Sequence, residues 1–178
     1  MEILRDRELA VRPATEADSC LLANWWNDGA VMAHAGFVDG VNTTIAEVAG
    51  KLAKDSDETG RRLILLREED AIGEMNYRII APRTAEIGIN ICRSDRQEKG
   101  YGRRFLTLLI DHLFIVGNQL IQLDTMIENE RAQHVYESIG FRKTAIRENC
   151  WQDPAGRWRT AVAYELSEVD WQMKKRDV

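Results

Sequence analysis

The chain has 178 residues, 44% hydrophobic and 30% charged, with 12 Gly and only 3 Pro; this composition suits one packed domain with a sizeable core and excludes a disordered or fibrous polymer. Its 24 Lys and Arg against 29 Asp and Glu leave a formal charge of -5, which argues against nucleic acid as a partner and is compatible with a cationic one. Cys20, Cys92 and Cys150 are widely spaced and form no CxxC pair, so neither a disulfide framework nor a zinc site is expected, and the chain reads as one from a reducing compartment.

No apolar run approaches the ~20 residues that span a bilayer, and MEILRDRELA lacks the apolar stretch of a signal peptide, so the expected location is the cytoplasm, away from membranes. Leu9 to Arg12 predicts a short strand, and Thr15 a cap for a helix from Glu16 to about Trp26. Asn27 to Asn42 has no clean period. Thr43 or Thr44 starts a second helix that ends near Lys54, and Asp55 to Arg61 is a loop. Arg62 to Arg67 and Ala71 to Ile80 predict a hairpin turned at Glu68 to Asp70.

Thr84 to Cys92 alternates, with Ile87, Ile89 and Ile91 on one face and Glu86, Gly88, Asn90 and Cys92 on the other, which is the period of a strand. Gly100 to Val116 predicts the longest helix, followed by a strand over Leu120 to Ile127 and a helix over Glu130 to Ile139 that Gly140 ends. Phe141 to Trp151 and Arg157 to Leu166 read as a terminal hairpin around Asp153-Pro154-Ala155-Gly156. The expected fold is therefore a single mixed α/β (α+β) domain with a central, mostly antiparallel twisted sheet flanked by helices.

The segment Gln97-Glu98-Lys99-Gly100-Tyr101-Gly102-Arg103 lies between a strand and the start of a helix. Such a place attracts anions: glycines admit a phosphate close to the backbone, and free amides with the positive end of the helix dipole favour it. Lys99, Arg103 and Arg104 add formal charge. A Gly-x-Gly pair also serves in ordinary loop-to-helix turns, and two nucleotide motifs fail on these residues. Phe105 stands where the dinucleotide fingerprint needs a small residue, which argues against an oxidoreductase, and no Ser or Thr follows a Gly-Lys pair as a P-loop requires.

Gln97-x-x-Gly100-x-Gly102 resembles the first signature of the GNAT N-acetyltransferase superfamily. Asn129-Glu130-Arg131-Ala132 with Tyr136-Glu137-Ser138-Ile139-Gly140-Phe141 is similar to its second. The resemblance covers Leu9 to Leu166. Trp26-Asn27-Asp28 and Gly156-Arg157-Trp158 make it similar to the branch that contains ribosomal-protein-alanine N-acetyltransferases. It implies one acetyltransferase domain over 1–178, with a core at about 9–166, and acetyl-CoA as co-substrate without a metal.

By this resemblance the coenzyme pyrophosphate lies on Glu98, Lys99, Gly100, Tyr101, Gly102 and Arg103 beside Gln97. The pantetheine arm then runs along Asn90, Ile91 and Cys92 and touches Asn129. Tyr136 protonates the departing thiolate. For the base, Glu86 comes first, then Asp124, then Glu74; taken singly, each reads first as a solvated surface carboxylate. Tyr136 can also be read as a helix aromatic and Asn129 as an N-cap. His34, His112 and His134 show no ligand spacing, Cys92 reads as an apolar filler rather than a nucleophile, and the five tryptophans as packing, a dimer contact or an acceptor wall. The expected partner is an amine on a small molecule or on a peptide N-terminus, and a homodimer is compatible with the chain. A non-catalytic module that senses acyl-CoA is the alternative.

Overall fold

Period-two patterning builds a sheet whose two faces are covered differently. In the computed structural model, which describes residues 1–176, the strands are β1 (Leu4–Asp6), β2 (Leu9–Pro13), β3 (Gly60–Arg67), β4 (Asp70–Ala81), β5 (Thr84–Asn90), β6 (Leu120–Met126), β7 (Arg142–Gln152) and β8 (Trp158–Ser167). They form one sheet in the order β1-β2-β3-β4-β5-β6-β8-β7. All neighbours are antiparallel except β5 and β6, which run parallel and are joined by the crossover helix α4 (Tyr101–Ile115). A parallel pair needs such a crossover, because a tight turn joins only antiparallel strands.

Odd-numbered positions of β3, β4 and β5, among them Leu63, Leu65, Met75, Tyr77 and Ile87, are buried in the main core with Phe105, Leu106, Leu109, Ile110 and Leu113 of α4. Helix α5 (Glu130–Ile139) adds Tyr136 and Ile139 to that core, and α6 (Glu168–Arg176) adds Trp171. On the opposite face, Ile64 packs with Leu22 and Ala23 of α1 (Ser19–Asn27) and with Val48 and Leu52 of α3 (Ile45–Leu52). That second core is small. Along β4 and β5 the same face carries Glu74, Asn76 and Arg78 opposite Asn90, Gly88 and Glu86, so a polar strip crosses the middle of the sheet, met by Trp26 at Glu74 and by Val31 at Asn90. No helix among the described residues is long and apolar enough to cross a membrane.

Several expected elements shift. The first helix does not begin at Glu16: Glu16–Asp18 is a 3-10 turn, and α1 starts at Ser19. Asp18 holds this turn: its buried carboxylate accepts from both Arg12 Nη atoms at 2.7 Å and from the Thr15 amide at 2.8 Å. Thr44 caps α3 as expected, in a reciprocal pair with Glu47. The unpatterned stretch after Asn27 holds the single turn α2 (Gly29–Met32) and a 3-10 turn over Ala33–Ala35. Strand β1 and helix α6 have no counterpart in the expected elements. Helix α6 has little amphipathic signal and is anchored by Trp171, whose indole donates to Asp111 of α4 at 2.8 Å.

Gly73 is a close-approach position: a Cβ there would lie 2.3 Å from the Asn90 carbonyl oxygen. The end of β5 is drawn in at this point, with the amides of Cys92 and Arg93 both donating to the Ile72 carbonyl. Gly73→Ala should therefore force the strands apart and lower stability by ~1–3 kcal/mol in urea melts. Gly50, exposed on α3 with open space around its Cα, is the matched control. Gly50→Ala should raise stability by about 0.5–1 kcal/mol.

Candidate active site

Strands β5 and β6 pair only from Thr84 to Glu86 with Leu120 to Gln122. Beyond that point they diverge. Gly88, Ile89 and Asn90 form one wall of a cavity of about 360 Å³, and Asp124, Thr125 and Met126 form the other, with Glu74, Asn129 and Tyr136 also facing it. Backbone N–H and C=O groups along such a split have lost their ladder partners and can pair with an amide-bearing ligand laid between the strands.

A second groove, of about 190 Å³, continues from the cavity to the start of α4. Gly100 is the N-cap of α4 in the left-handed conformation (φ 76°), and no side chain caps the helix. A Cβ at Gly100 or Gly102 would meet nothing within 4 Å, so the space over the loop is open. Uncapped amides beside open space on a 15-residue helix fit a phosphate. Gln97 fastens this loop to the strand end, donating from Nε2 to the Ile91 carbonyl at 2.9 Å.

The groove gathers most of the expected coenzyme residues: Asn90, Ile91, Gln97 and Glu98, then Gly100 to Arg103, and Asn129. Asn129 caps α5, accepting from the Ala132 amide at 3.2 Å, and faces both spaces. The Asn90 side chain is turned to the Val31 carbonyl of α2 at 3.2 Å, and its backbone carbonyl faces Gly73 of β4, so the backbone groups open to the groove are those of the neighbouring Ile89 and Ile91. Cys92 and Lys99 lie outside the lining. Cys92 is buried, and burial pushes its thiol up, so it is an inert filler. Arg104 is not free for an anion either, because Asp6 and Glu8 hold it at 2.7 and 2.6 Å. Arg131 lines the groove instead, paired with Glu98 at 3.0 Å. As an exposed helix arginine it carries no signal in the sequence.

Tyr136 stands where the two spaces meet. Its ring packs edge-on against Phe141 and Tyr164 at 6.0 and 5.8 Å, and its hydroxyl has no hydrogen-bond partner among the described residues. Burial, with a smaller contribution from the Asp124 charge, pushes its pKa up to about 12. The phenol therefore keeps its proton at neutral pH, as a donor must.

The carboxylates separate clearly. Glu86, the first expectation for the base, does not reach this cavity: it pairs with Arg78 and lies in a neighbouring groove with Gln122 and Glu165. Its place on the strand is two residues before Gly88, where the cavity wall begins, and β5 and β6 are still joined there. Asp124 faces the cavity but is ion-paired with Arg147. Glu74 is 8% exposed and accepts from the Trp26 indole at 2.6 Å. Burial raises its pKa to about 7, a rise that the Trp26 hydrogen bond and the Arg62 charge only partly offset. A carboxylate so tuned exchanges protons near neutrality. No group of His, Cys, Asp and Glu among the described residues is arranged to hold a metal ion.

Comparison with known proteins fits this geometry. The family model described as an acetyltransferase (GNAT) domain matches residues 8–142. The chain belongs to the GNAT acetyltransferase family. A 70-residue segment is 36% identical to the ribosomal protein bS18-alanine N-acetyltransferase of Haemophilus ducreyi, covering 39% of this chain and 48% of that relative, so the match spans about half the relative's length. Among solved structures, the spermidine N-acetyltransferase of Vibrio cholerae in complex with CoA and spermine has a TM-score of 0.83 at 22% identity, over 94% of this chain and 99% of that one. The yncA protein of Salmonella typhimurium, solved with acetyl-CoA, has a TM-score of 0.74 at 19% identity, over 90% of this chain and 94% of that one. These structural likenesses establish the GNAT fold.

With no atoms near its Cα, Gly102 can be changed without disturbing the fold. Gly102→Val should melt within about 2 °C of the parent yet lose most of the stabilisation that millimolar acetyl-CoA confers, because the isopropyl group fills the phosphate space. Parallel thermal melts with and without ligand check this.

Proposed function

We propose that this chain transfers the acetyl group of acetyl-CoA directly to a primary amine, on a small molecule or at a peptide N-terminus, in a ternary complex. One observation carries the proposal. A proton donor, Tyr136, and a proton acceptor tuned to neutrality, Glu74, face one cavity that opens onto an uncapped helix N-terminus. Bound acetyl-CoA supplies an acyl group activated as a thioester. The backbone from Glu98 to Arg103 holds its phosphates, with Arg103 and Arg131 adding charge, and the free edge of β5 from Ile89 to Ile91 orients the arm. Asn129 steadies the arm at the turn into α5.

Glu74, directly or through water, takes the proton that the amine must lose to attack. The cavity lining includes no Lys or Arg, and Glu74 is the carboxylate in it that an ammonium can face, because Asp124 is already paired with Arg147. Tyr136 gives its proton to the leaving sulfur. The amine reading draws support from the segment shared with ribosomal-protein alanine acetyltransferases. We read the whole chain, 1–178, as one such domain acting in the cytoplasm, with a homodimer as its working assembly.

Two substitutions test the assignment. Tyr136→Phe keeps the ring packing and should lower kcat by roughly 10²-fold with little change in acetyl-CoA affinity, because a thiolate needs only moderate help to leave. Turnover at the parent rate would make Tyr136 a packing residue, and no thiol release with any amine would favour a coenzyme-sensing module.

For Glu74 the two readouts move in opposite directions. In the parent, kcat/KM should fall as pH drops below about 7, where Glu74 gains a proton, and Glu74→Gln should abolish this limb. Because the folded pKa lies above the unfolded value, Glu74 favours folding fully below about pH 4.5, and this contribution is lost as pH rises through about 7. Glu74→Gln should thus be more stable than the parent above pH 7, on the order of 1–3 kcal/mol. Urea melts at pH 5 and pH 8 separate the two effects.

A further inference from the structure

The polar strip across the sheet does not end at the transfer cavity. Met32, Glu74 and Asn76 line that cavity and also a second one, of about 470 Å³, on its far side. The character of the lining reverses there. Lys54, Arg62 and Arg78 face the second cavity, against the carboxylates of Asp55 and Glu74, while Arg61 borders it with its guanidinium held by Asp57 on the other face of the sheet. The carboxylate that pairs with Arg78, Glu86, lies outside its lining. Lys54 is exposed and makes no ion pair among the described residues. Arg62 gives Nη1 to Asp55 at 2.6 Å and is held with its guanidinium carbon 5.7 Å from the centre of the Trp26 ring, while Nη2 has no partner among the described residues. A guanidinium oriented in this way, with one edge free, suits a planar or tetrahedral oxyanion.

From the juxtaposition of these two cavities we infer that the acceptor is an amine carrying an oxyanion, a carboxylate or a phosphate, whose amine enters beside Glu74 and whose anionic end seats among Lys54, Arg62 and Arg78. This rests on the transfer reading above and adds the class of acceptor to it. The strand geometry sets the span between the two groups. Arg62 lies opposite Asn76, and Gly60 opposite Arg78; at a rise of ~3.3 Å per residue these rows are roughly 7 and 13 Å from Glu74. An α-amino acid is too short to bridge this distance. A short peptide or an amine on a chain of about eight carbons reaches it.

Three amines of equal length supply the test: 8-aminooctanoate, its amide and 1,8-diaminooctane, with acetyl-CoA and thiol release as the readout. The carboxylate should show a kcat/KM at least roughly tenfold above the neutral amide, because one charge-assisted hydrogen bond is worth about that factor. Lys54→Glu should shrink this ratio through KM. Equal use of the amide, a preference for the diamine, or a ratio unmoved by Lys54→Glu would overturn the inference while leaving acetyl transfer intact. Thiol release with none of the three would count against the transfer reading. Calorimetry on the coenzyme A complex then decides the anion site independently: 8-acetamidooctanoate should bind at least roughly tenfold tighter than its amide, and equal or absent binding would refute the site.

Discussion

The molecule depends on a pairing that stops early. Strands β5 and β6 share a ladder over three residue pairs and then separate, although each continues for several residues and is held on its other side, β5 by β4 and β6 by β8. Each strand is therefore rigid where it is unpaired. Exposed backbone groups are costly unless something satisfies them, and here they border a cavity that a ligand arm can enter. The crossover that makes the pair parallel also places the N-terminus of α4 at the mouth of the same opening, so one topological feature supplies both the slot for an arm and the cradle for its phosphates.

The chemical residues are placed by the elements that flank this split. Helix α5 follows β6 through the turn at Asn129, which carries Tyr136 to the junction of cavity and groove. Strand β4 brings Glu74 in from the other side, opposite Asn90. The two groups are tuned by burial in the same direction, each toward its protonated form. The consequence differs because their starting values differ: the phenol is fixed as an acid, and the carboxyl is brought to the point where it can act as a base. Trp26 prevents the shift of Glu74 from going further, and Arg62 and Lys51 pack over that indole.

Local patterns made much of this legible. The alternation of Ile87, Ile89 and Ile91 against Glu86, Gly88 and Asn90 gave β5 and its two faces, and the glycines of Gly100-x-Gly102 marked an open helix start. The choice among carboxylates was not legible, because it depends on where β5 and β6 part and on which residue lies under Trp26, both long-range facts. Glu86 has the right strand and face but is the last residue of the β5–β6 ladder, just short of the opening. Arg104 looks like a phosphate ligand beside its glycines, but Asp6 and Glu8 arrive from about a hundred positions away to claim it. The loop after Asn27 has no period because its order comes from isolated ties, such as Asn27 to the Thr43 backbone and Phe37 to the Trp151 ring.

The central claim is that the unpaired edge of β5 and the uncapped start of α4 together hold the coenzyme. Amide hydrogen exchange with and without acetyl-CoA tests it most directly, because exchange reports on individual backbone groups. Slowed exchange confined to the segments from Ile87 to Cys92 and from Glu98 to Arg104, with the β3–β4 hairpin unchanged, is the predicted result. Ligand binding that leaves both segments as they are, or that protects only residues remote from the split, would contradict the account.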